Sequence, residues 1–148
     1  MNVLLDTNVL VYLYDPLQAF KQEQARLTLR ALAGTGLGFI STQVLSEFFS
    51  VITTRLRPRI SPEIALIEIE RHVRVFKVLD VTVPVIIAAA HAVSKHSLNF
   101  WDAQLWAAAK LNGIDAIFSE DFNTGSSLGG VRFVNPFAHG FHPSAWLA

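Results

Sequence analysis

The fold of this chain is decided near its start, by the stretch Asn2-Val3-Leu4-Leu5-Asp6-Thr7-Asn8-Val9-Leu10-Val11-Tyr12-Leu13-Tyr14. The apolar run that ends at Asp6 resumes at Val9, which is typical of a buried strand that turns directly into a helix. Such a strand delivers the Asp6 carboxylate to its carboxyl end. In open parallel sheets, ligands bind in the crevice outside those ends. Asp6 is therefore the first candidate site residue.

Composition favours a layered α/β domain. The chain has 148 residues, enough for one domain with a real core, and 51% of them are hydrophobic while only 16% are charged. Such a chain needs a sheet covered on both faces, or a partner that covers part of its surface. The net charge of 0 predicts that any nucleic-acid site is a local patch. The absence of cysteine excludes disulfides and thiolate metal sites.

The sequence indicates a soluble, cytoplasmic protein without a membrane association. The apolar stretch from Val81 to Val93 is interrupted by Thr82, Pro84 and His91. It is shorter than the roughly 20 residues that a spanning helix needs. No basic segment precedes the first apolar run, so no signal peptide is predicted.

Strands and helices are predicted to alternate along nearly the whole chain. The predicted strands are 3–5, 37–41, 76–79, 116–119 and 131–134. The predicted helices are 8–14, 19–32, 42–56, 61–73, 84–95 and 99–110, with Thr42, Ser61 and Asn99 as candidate N-caps. This alternation predicts a three-layer α/β fold around a mostly parallel sheet. Residues 1–137 form the predicted domain, and residues 138–148 are an unassigned tail.

Four acids are expected at the carboxyl edge of this sheet, each from a different βα unit: Asp6, Glu47, Asp102 and Asp121. Ordinary structural roles compete with a functional one. Asp6 is also a good helix cap, Glu47 could belong to a solvated helix face, and Asp102 could form a capping box with Asn99. Against this, an ionised carboxylate between apolar segments is costly unless it is paired, hydrogen-bonded or bound to metal.

An all-oxygen cluster of this kind suits Mg²⁺ or Mn²⁺ better than zinc. Four neighbouring carboxylates would repel one another unless a divalent ion neutralised them or some were protonated. Thr7 and Asn8 could hold the Asp6 carboxylate by hydrogen bonds. At the fourth position the adjacent residues Glu120 and Asp121 are both candidates, because either could face the metal.

Five stretches of the sequence, in this order and spacing, match one known family: Leu4-Leu5-Asp6-Thr7-Asn8-Val9-Leu10, Val44-Leu45-Ser46-Glu47-Phe48, Phe100-Trp101-Asp102-Ala103-Gln104-Leu105-Trp106-Ala107-Ala108-Ala109, Phe118-Ser119-Glu120-Asp121-Phe122 and Phe133-Val134-Asn135-Pro136-Phe137. On these stretches the chain resembles the PIN-domain nucleases and, within them, the VapC toxins of bacterial toxin–antitoxin pairs.

The resemblance implies a PIN-like fold with a sheet of about five strands in the order 3-2-1-4-5. It also implies an Mg²⁺- or Mn²⁺-dependent endoribonuclease, a homodimer, and inhibition by a cognate antitoxin that lays its C-terminal segment over the active groove. Asp6, Glu47, Asp102 and Asp121 match the acidic positions of the family, and Asn8 and Ser119 match its supporting polar positions.

The mechanistic hypothesis assigns Asp6 and Asp102 as primary metal ligands. Glu47 binds metal or orients the attacking water, and Asp121 serves a second metal or its water shell. In-line attack of water on phosphorus would leave a 5′-phosphate and a 3′-hydroxyl. The best candidates for RNA phosphate contacts are a basic set, whose alternative role is a solvated loop: Arg55, Arg57 and Arg59.

Other functions fit less well. Haloacid-type phosphatases begin with a similar strand but need a second acid two residues after the first, where this chain has Asn8. Response-regulator receivers need an acid pair before the phosphorylated residue. The remaining alternative is a catalytically inactive PIN-like module that binds RNA or a protein. A shift in melting temperature with divalent metal would separate it from a nuclease.

Overall fold

The computed structural model describes residues 1–147, and in them the chain forms six strands and seven helices. The strands are β1 (Val3–Leu5), β2 (Gly38–Ser41), β3 (Lys77–Leu79), β4 (Ala116–Phe118), β5 (Ser127–Leu128) and β6 (Val131–Val134). The helices are α1 (Thr7–Tyr12), α2 (Ala19–Leu32), α3 (Thr42–Thr54), α4 (Pro62–Val75), α5 (Val83–His96), α6 (Phe100–Leu111) and α7 (Ser144–Leu147). Over the same residues, none of the helices has the length and apolarity to cross a bilayer.

The strands form one sheet in the order β3-β2-β1-β4-β6-β5. All neighbours are parallel except β5 and β6, which pair antiparallel. The expected α/β class and strand order are confirmed, because the fifth predicted strand is β6. The structure contains one strand that the sequence did not predict, the two-residue β5, which is joined to β6 by Gly129 and Gly130. Both glycines have positive φ, as the tightest hairpin turns require.

Strand β1 is the centre of the molecule. It pairs with β2 on one side and β4 on the other, and its three side chains are fully buried. From β1 the chain winds outward through β2 to β3, then returns to β4. Right-handed crossovers place α1 to α4 on one face of the sheet and α5 and α6 on the other. The winding direction therefore reverses between β1 and β4, and such a switch point opens a crevice at the carboxyl ends of the strands.

The helix starts follow the capping signals at two of the three predicted positions. Ser61 and Asn99 accept hydrogen bonds at the starts of α4 and α6. At α3 the prediction was wrong, because the cap is Ser41, whose Oγ accepts from the Val44 N–H at 3.2 Å. The Thr42 hydroxyl instead accepts from the Val81 N–H at 3.0 Å, which joins α3 to the segment after β3.

The C-terminal tail packs on the sheet. The rings of Phe141 and Trp146 lie edge-on to Phe118 of β4, with centroids 5.4 and 6.1 Å away. The Arg132 guanidinium stands 5.0 Å from the centre of the Trp146 ring. The tail is therefore a cover for β4, although its separation from the domain at residue 137 remains a prediction.

Strand β2 passes so close to Phe76 that only glycine fits at its first position. A Cβ on Gly38 would stand 2.7 Å from the Phe76 ring and 3.3 Å from Leu32 Cβ. We expect Gly38→Ala to lower the free energy of unfolding by about 1–3 kcal/mol, measured by urea denaturation. In a Phe76→Leu background the same change should cost less, because the smaller side chain makes room for the methyl. Equal costs in both backgrounds would contradict this account.

Candidate active site

Five carboxylates border one cleft at the switch point, namely the four expected acids and Asp15. The cleft has a volume of about 520 Å³ and opens at the carboxyl ends of β1 and β4. The four expected acids reach it from the start of α1, from α3, from α6 and from the loop after β4: Asp6, Glu47, Asp102 and Asp121. Asp15, in the segment after α1, is the fifth acid of the wall. Because these residues lie as far as 115 positions apart in the chain, only the parallel topology brings them together.

Asp6 is the most enclosed of the four, with 8% of its surface exposed. The Thr7 N–H donates to Oδ1 at 2.7 Å, and the Ser119 hydroxyl donates to Oδ2 at 2.7 Å. The pKa of Asp6 is raised to about 6, mainly by burial; the two hydrogen bonds oppose the shift, and the nearby charges of Asp121 and Glu47 add to it. The helix-cap role and the site role therefore coincide at this residue.

Asn8 links the two ends of the crevice. Its Nδ2 donates to Ser119 Oγ at 3.2 Å and to Asp121 Oδ2 at 3.2 Å, and it stands 3.5 Å from Asp6 Oδ2. The Asp121 N–H in turn donates to Ser119 Oγ at 3.0 Å. Asn8 and Ser119, the uncharged supporting residues expected from the sequence, thus form one hydrogen-bond network that connects the ends of β1 and β4.

Glu47 is held at both oxygens. The Thr7 hydroxyl donates to Oε2 at 2.9 Å, and Gln43 Nε2 donates to Oε1 at 2.8 Å. Gln43 is fixed by Gln104 of α6, whose Nε2 donates to Gln43 Oε1 at 2.8 Å. Gln43 was not among the residues that the sequence singled out. Its spacing of four residues from Glu47 was the available signal.

Asp102 lies in the first turn of α6, where the expected cap forms. Its N–H donates to Asn99 Oδ1 at 2.9 Å, and Asn99 Nδ2 donates back to Asp102 Oδ2 at 2.6 Å. Burial raises the pKa of Asp102, the Asn99 hydrogen bond opposes the shift, and the charges of Asp121 and Glu47 add to it. Asp102 therefore holds the cap residue of its helix and also carries charge into the cleft.

The adjacent acids after β4 have different surroundings. Glu120 accepts from Lys21 Nζ at 2.8 Å and from the Tyr12 hydroxyl at 2.6 Å, so it is engaged with α1 and α2. Asp121 lines the cleft, and Glu120 does not. Sequence reasoning missed Tyr12 and Lys21, and no pattern could have found an ion pair that spans 99 positions.

Two of the three arginines considered for RNA binding reach the cleft. Arg55 and Arg57 line it, and Arg59 is not part of its wall. The Arg57 guanidinium also donates to the carbonyl oxygens of Thr54 and Leu56, at 3.1 and 3.0 Å, which holds it against the end of α3. The basic side of the cleft therefore consists of the segment that follows α3.

The donor set has the chemistry of a hard-cation site. Its ligands are carboxylate oxygens, supported by hydroxyl and amide groups. Within residues 1–147, no three acidic or histidine side chains already enclose an ion-sized position. Mg²⁺ is usually held by one or two carboxylates together with several waters, and an open cleft suits that mode of binding.

Comparison with known proteins identifies the family. The PIN domain family model matches residues 3–124, so the chain belongs to the PIN domain family. A comparison with curated protein sequences gives no significant match.

Several solved structures share the fold, among them a toxin and toxin–antitoxin complexes. The Mycobacterium tuberculosis toxin VapC20, which cleaves the sarcin–ricin loop, superposes with a TM-score of 0.66 at 19% identity, over 86% of this chain and 98% of its own. A toxin–antitoxin complex from Klebsiella pneumoniae gives 0.64 at 17% identity, over 91% and 98%. DNA-bound VapBC from Salmonella typhimurium gives 0.65 at 16% identity, over 92% and 98%.

The raised pKa of Asp6 predicts a pH-dependent stability in the metal-free protein. The folded state binds the proton of the Asp6 carboxyl group more tightly than the unfolded state does. The protonated group therefore stabilises the fold below the ordinary pKa of 3.8, and this stabilisation is lost as the pH rises through about 6. In EDTA, the Asp6→Asn variant should not lose stability over this pH range. Its free energy of unfolding should therefore rise relative to that of the parent by roughly 1–3 kcal/mol between about pH 4 and about pH 7. Urea unfolding at several pH values measures it. Asp80→Asn, at an exposed residue, is the matched control, and an unchanged pH profile in Asp6→Asn would contradict the prediction.

Proposed function

We propose that the protein is a divalent-metal-dependent endoribonuclease toxin whose activity is blocked by a cognate antitoxin. The observation that carries this proposal is the convergence of Asp6, Glu47, Asp102 and Asp121 on one cleft of a PIN domain. The similarity to VapC-type toxins and toxin–antitoxin complexes supports the toxin and antitoxin assignments. The activity of VapC20 toward the sarcin–ricin loop supports RNA as the substrate class.

Mg²⁺ or Mn²⁺ is the proposed cofactor. Asp6 and Asp102 would be its main ligands, with Glu47 and Asp121 as secondary ones. A positive ion beside Asp6 would offset the burial and the like charges that raise its pKa. When bound, the ion supplies activation of a water and stabilisation of the leaving oxygen. The engagement of Glu120 by Lys21 favours Asp121 as the acid that serves the metal.

The residues of the chain position the reaction. Thr7 and Gln43 fix the Glu47 carboxylate by one hydrogen bond to each oxygen. Since an ionised carboxylate has about four lone-pair sites, Glu47 can still accept a hydrogen bond from the attacking water and orient it. Attack on phosphorus then breaks the bond to the 3′ oxygen, which leaves a 3′-hydroxyl and a 5′-phosphate. Arg55 and Arg57 are proposed to hold neighbouring phosphates.

The proposed protein partners would cover the apolar surface of the helices. Large apolar side chains are exposed on α4 and α5, among them Ile64, Leu66, Ile67, Val83 and Ile87. Exposed apolar side chains concentrated on two helices indicate protein contacts. We propose a homodimer and an antitoxin as the partners that use such surfaces.

The first test removes the proposed ligands. We expect Asp6→Asn and Asp102→Asn each to lower Mn²⁺-dependent cleavage of cellular RNA by about 100-fold or more, because each removes charge that the transition state needs. Both should also reduce the rise in melting temperature that Mn²⁺ produces. Asp80→Asn should behave as the parent. Cleavage and Mn²⁺ binding at the parental level in Asp6→Asn would refute the ligand assignment. An absence of both in the parent protein would favour the inactive binding module.

The second test separates the adjacent acids. Asp121→Asn should lower cleavage and weaken the response to Mn²⁺, because its carboxylate faces the cleft. Glu120→Gln should keep the Mn²⁺ response and instead lose up to about 1 kcal/mol of stability, because it removes a partly exposed ion pair with Lys21. A Mn²⁺ titration of both variants, followed by thermal unfolding, measures the contrast. The reverse pattern would assign Glu120 to the metal.

A further inference from the structure

A second groove adjoins the candidate active site. It has a volume of about 710 Å³ and shares part of its wall with the cleft, namely Gln43, Glu47, Val51, Arg55 and Trp101. The part beyond that shared wall is lined by Thr42, Ser46, Ser50, Val81 and Gln104. We call this second space the flanking groove. Its continuity with the four carboxylates means that a chain bound across the cleft would pass into it.

Trp101 is the prominent feature of the boundary between the two spaces. It precedes Asp102 in the first turn of α6, and 62% of its surface is exposed. Its backbone belongs to α6, and Gln43 Nε2 donates to the Trp101 carbonyl oxygen at 3.2 Å. The Phe100 ring stands edge-on to the indole, with centroids 5.3 Å apart. An exposed indole beside the proposed active site is suited to stack on a nucleobase.

The chemistry of the flanking groove fits a nucleotide. Arg55 lies on the shared wall and can contact a phosphate in either space. Thr42, Ser46 and Ser50 supply hydroxyl groups that can bond to a ribose 2′-hydroxyl or a base edge. Among the described residues that line the flanking groove, the acidic one is Glu47, and both of its carboxylate oxygens already accept hydrogen bonds. This wall therefore carries less negative charge than the cleft and repels a phosphate chain less.

We infer that the flanking groove binds a single-stranded nucleotide next to the scissile phosphate, with its base stacked on Trp101 and its phosphate at Arg55. This inference rests on the proposed function. The ligand that we expect in the groove is single-stranded RNA, because a base paired within a duplex cannot present its face to an exposed indole. Trp101 is thus a substrate-binding residue and sets a preference for unpaired RNA at the cut site.

The experiment compares Trp101→Ala and Trp101→Phe with the parent. Leu111→Ala is the matched control, because Leu111 is also an exposed apolar residue of α6 but lies at the opposite end of the helix, outside both spaces. A pool of labelled random RNA dodecamers is bound to each variant in an Asp6→Asn background and followed by anisotropy. The same substitutions in the active protein are assayed for Mn²⁺-dependent cleavage, which separates KM from kcat.

We expect Trp101→Ala to weaken dodecamer binding and raise KM by about 5- to 100-fold, with kcat changed much less. Trp101→Phe should restore most of the affinity, which a purely structural role of the indole would not require. Leu111→Ala should match the parent, and duplex RNA of the same length should bind equally to all variants. Unchanged melting temperatures would confirm that the variants fold.

Three results would overturn the inference, and they are distinguishable. A parent that cleaves RNA while Trp101→Ala keeps its KM and affinity would refute the groove and leave the proposed function intact. A parent that neither cleaves nor binds RNA would refute both. A Trp101→Ala variant with parental RNA affinity that escapes inhibition by the cognate antitoxin would assign the groove to the protein partner.

Discussion

The burial of the Asp6 carboxylate is the constraint on which the rest of the structure depends. A carboxylate with 8% of its surface exposed requires donors, and it takes them from two directions, the Thr7 N–H of α1 and the Ser119 hydroxyl after β4. The bond from Ser119 joins the ends of β1 and β4, the two strands at which the winding of the sheet reverses. The centre of the core and the centre of the site are therefore the same few residues.

Neutral donors hold each carboxylate of the cleft in place. Ser119 serves Asp6, Gln43 serves Glu47, and Asn99 serves Asp102. A lysine or arginine in any of these places would orient the acid but also neutralise it, and would compete with a metal ion. Glu120 shows the contrast, because its ion pair with Lys21 makes it a structural tie. An acid that is paired with a cation, such as Glu120, therefore serves the fold. An acid that is held by uncharged donors keeps its charge directed toward the cleft.

Local patterns in the sequence predicted the main strands and the four acids, because both depend on short-range signals, whereas the strand order came from the resemblance to the PIN-domain nucleases. A buried run ending in Asp6 and a cap at Asn99 are visible within a few residues, and the parallel topology then brings their ends together. Contacts between distant elements were not predictable. The Lys21–Glu120 pair and the capping of α3 by Ser41 rather than Thr42 depend on which element lies alongside. The strand β5 was missed because two residues carry no period.

The charge distribution constrains how such a protein can bind RNA. The chain has a net charge of 0, and its cleft presents five acids to a polyanion, so long-range attraction cannot supply the affinity. A metal ion offsets the repulsion at one phosphate only. The remaining affinity must come from neighbouring contacts that do not depend on net charge. Stacking on an indole and hydrogen bonds to hydroxyl groups meet that requirement, and both lie in the flanking groove beside Arg55. Under the proposed function, the separation of an acidic cleft from a nearly neutral groove would let one small domain both bind an RNA chain and cut it.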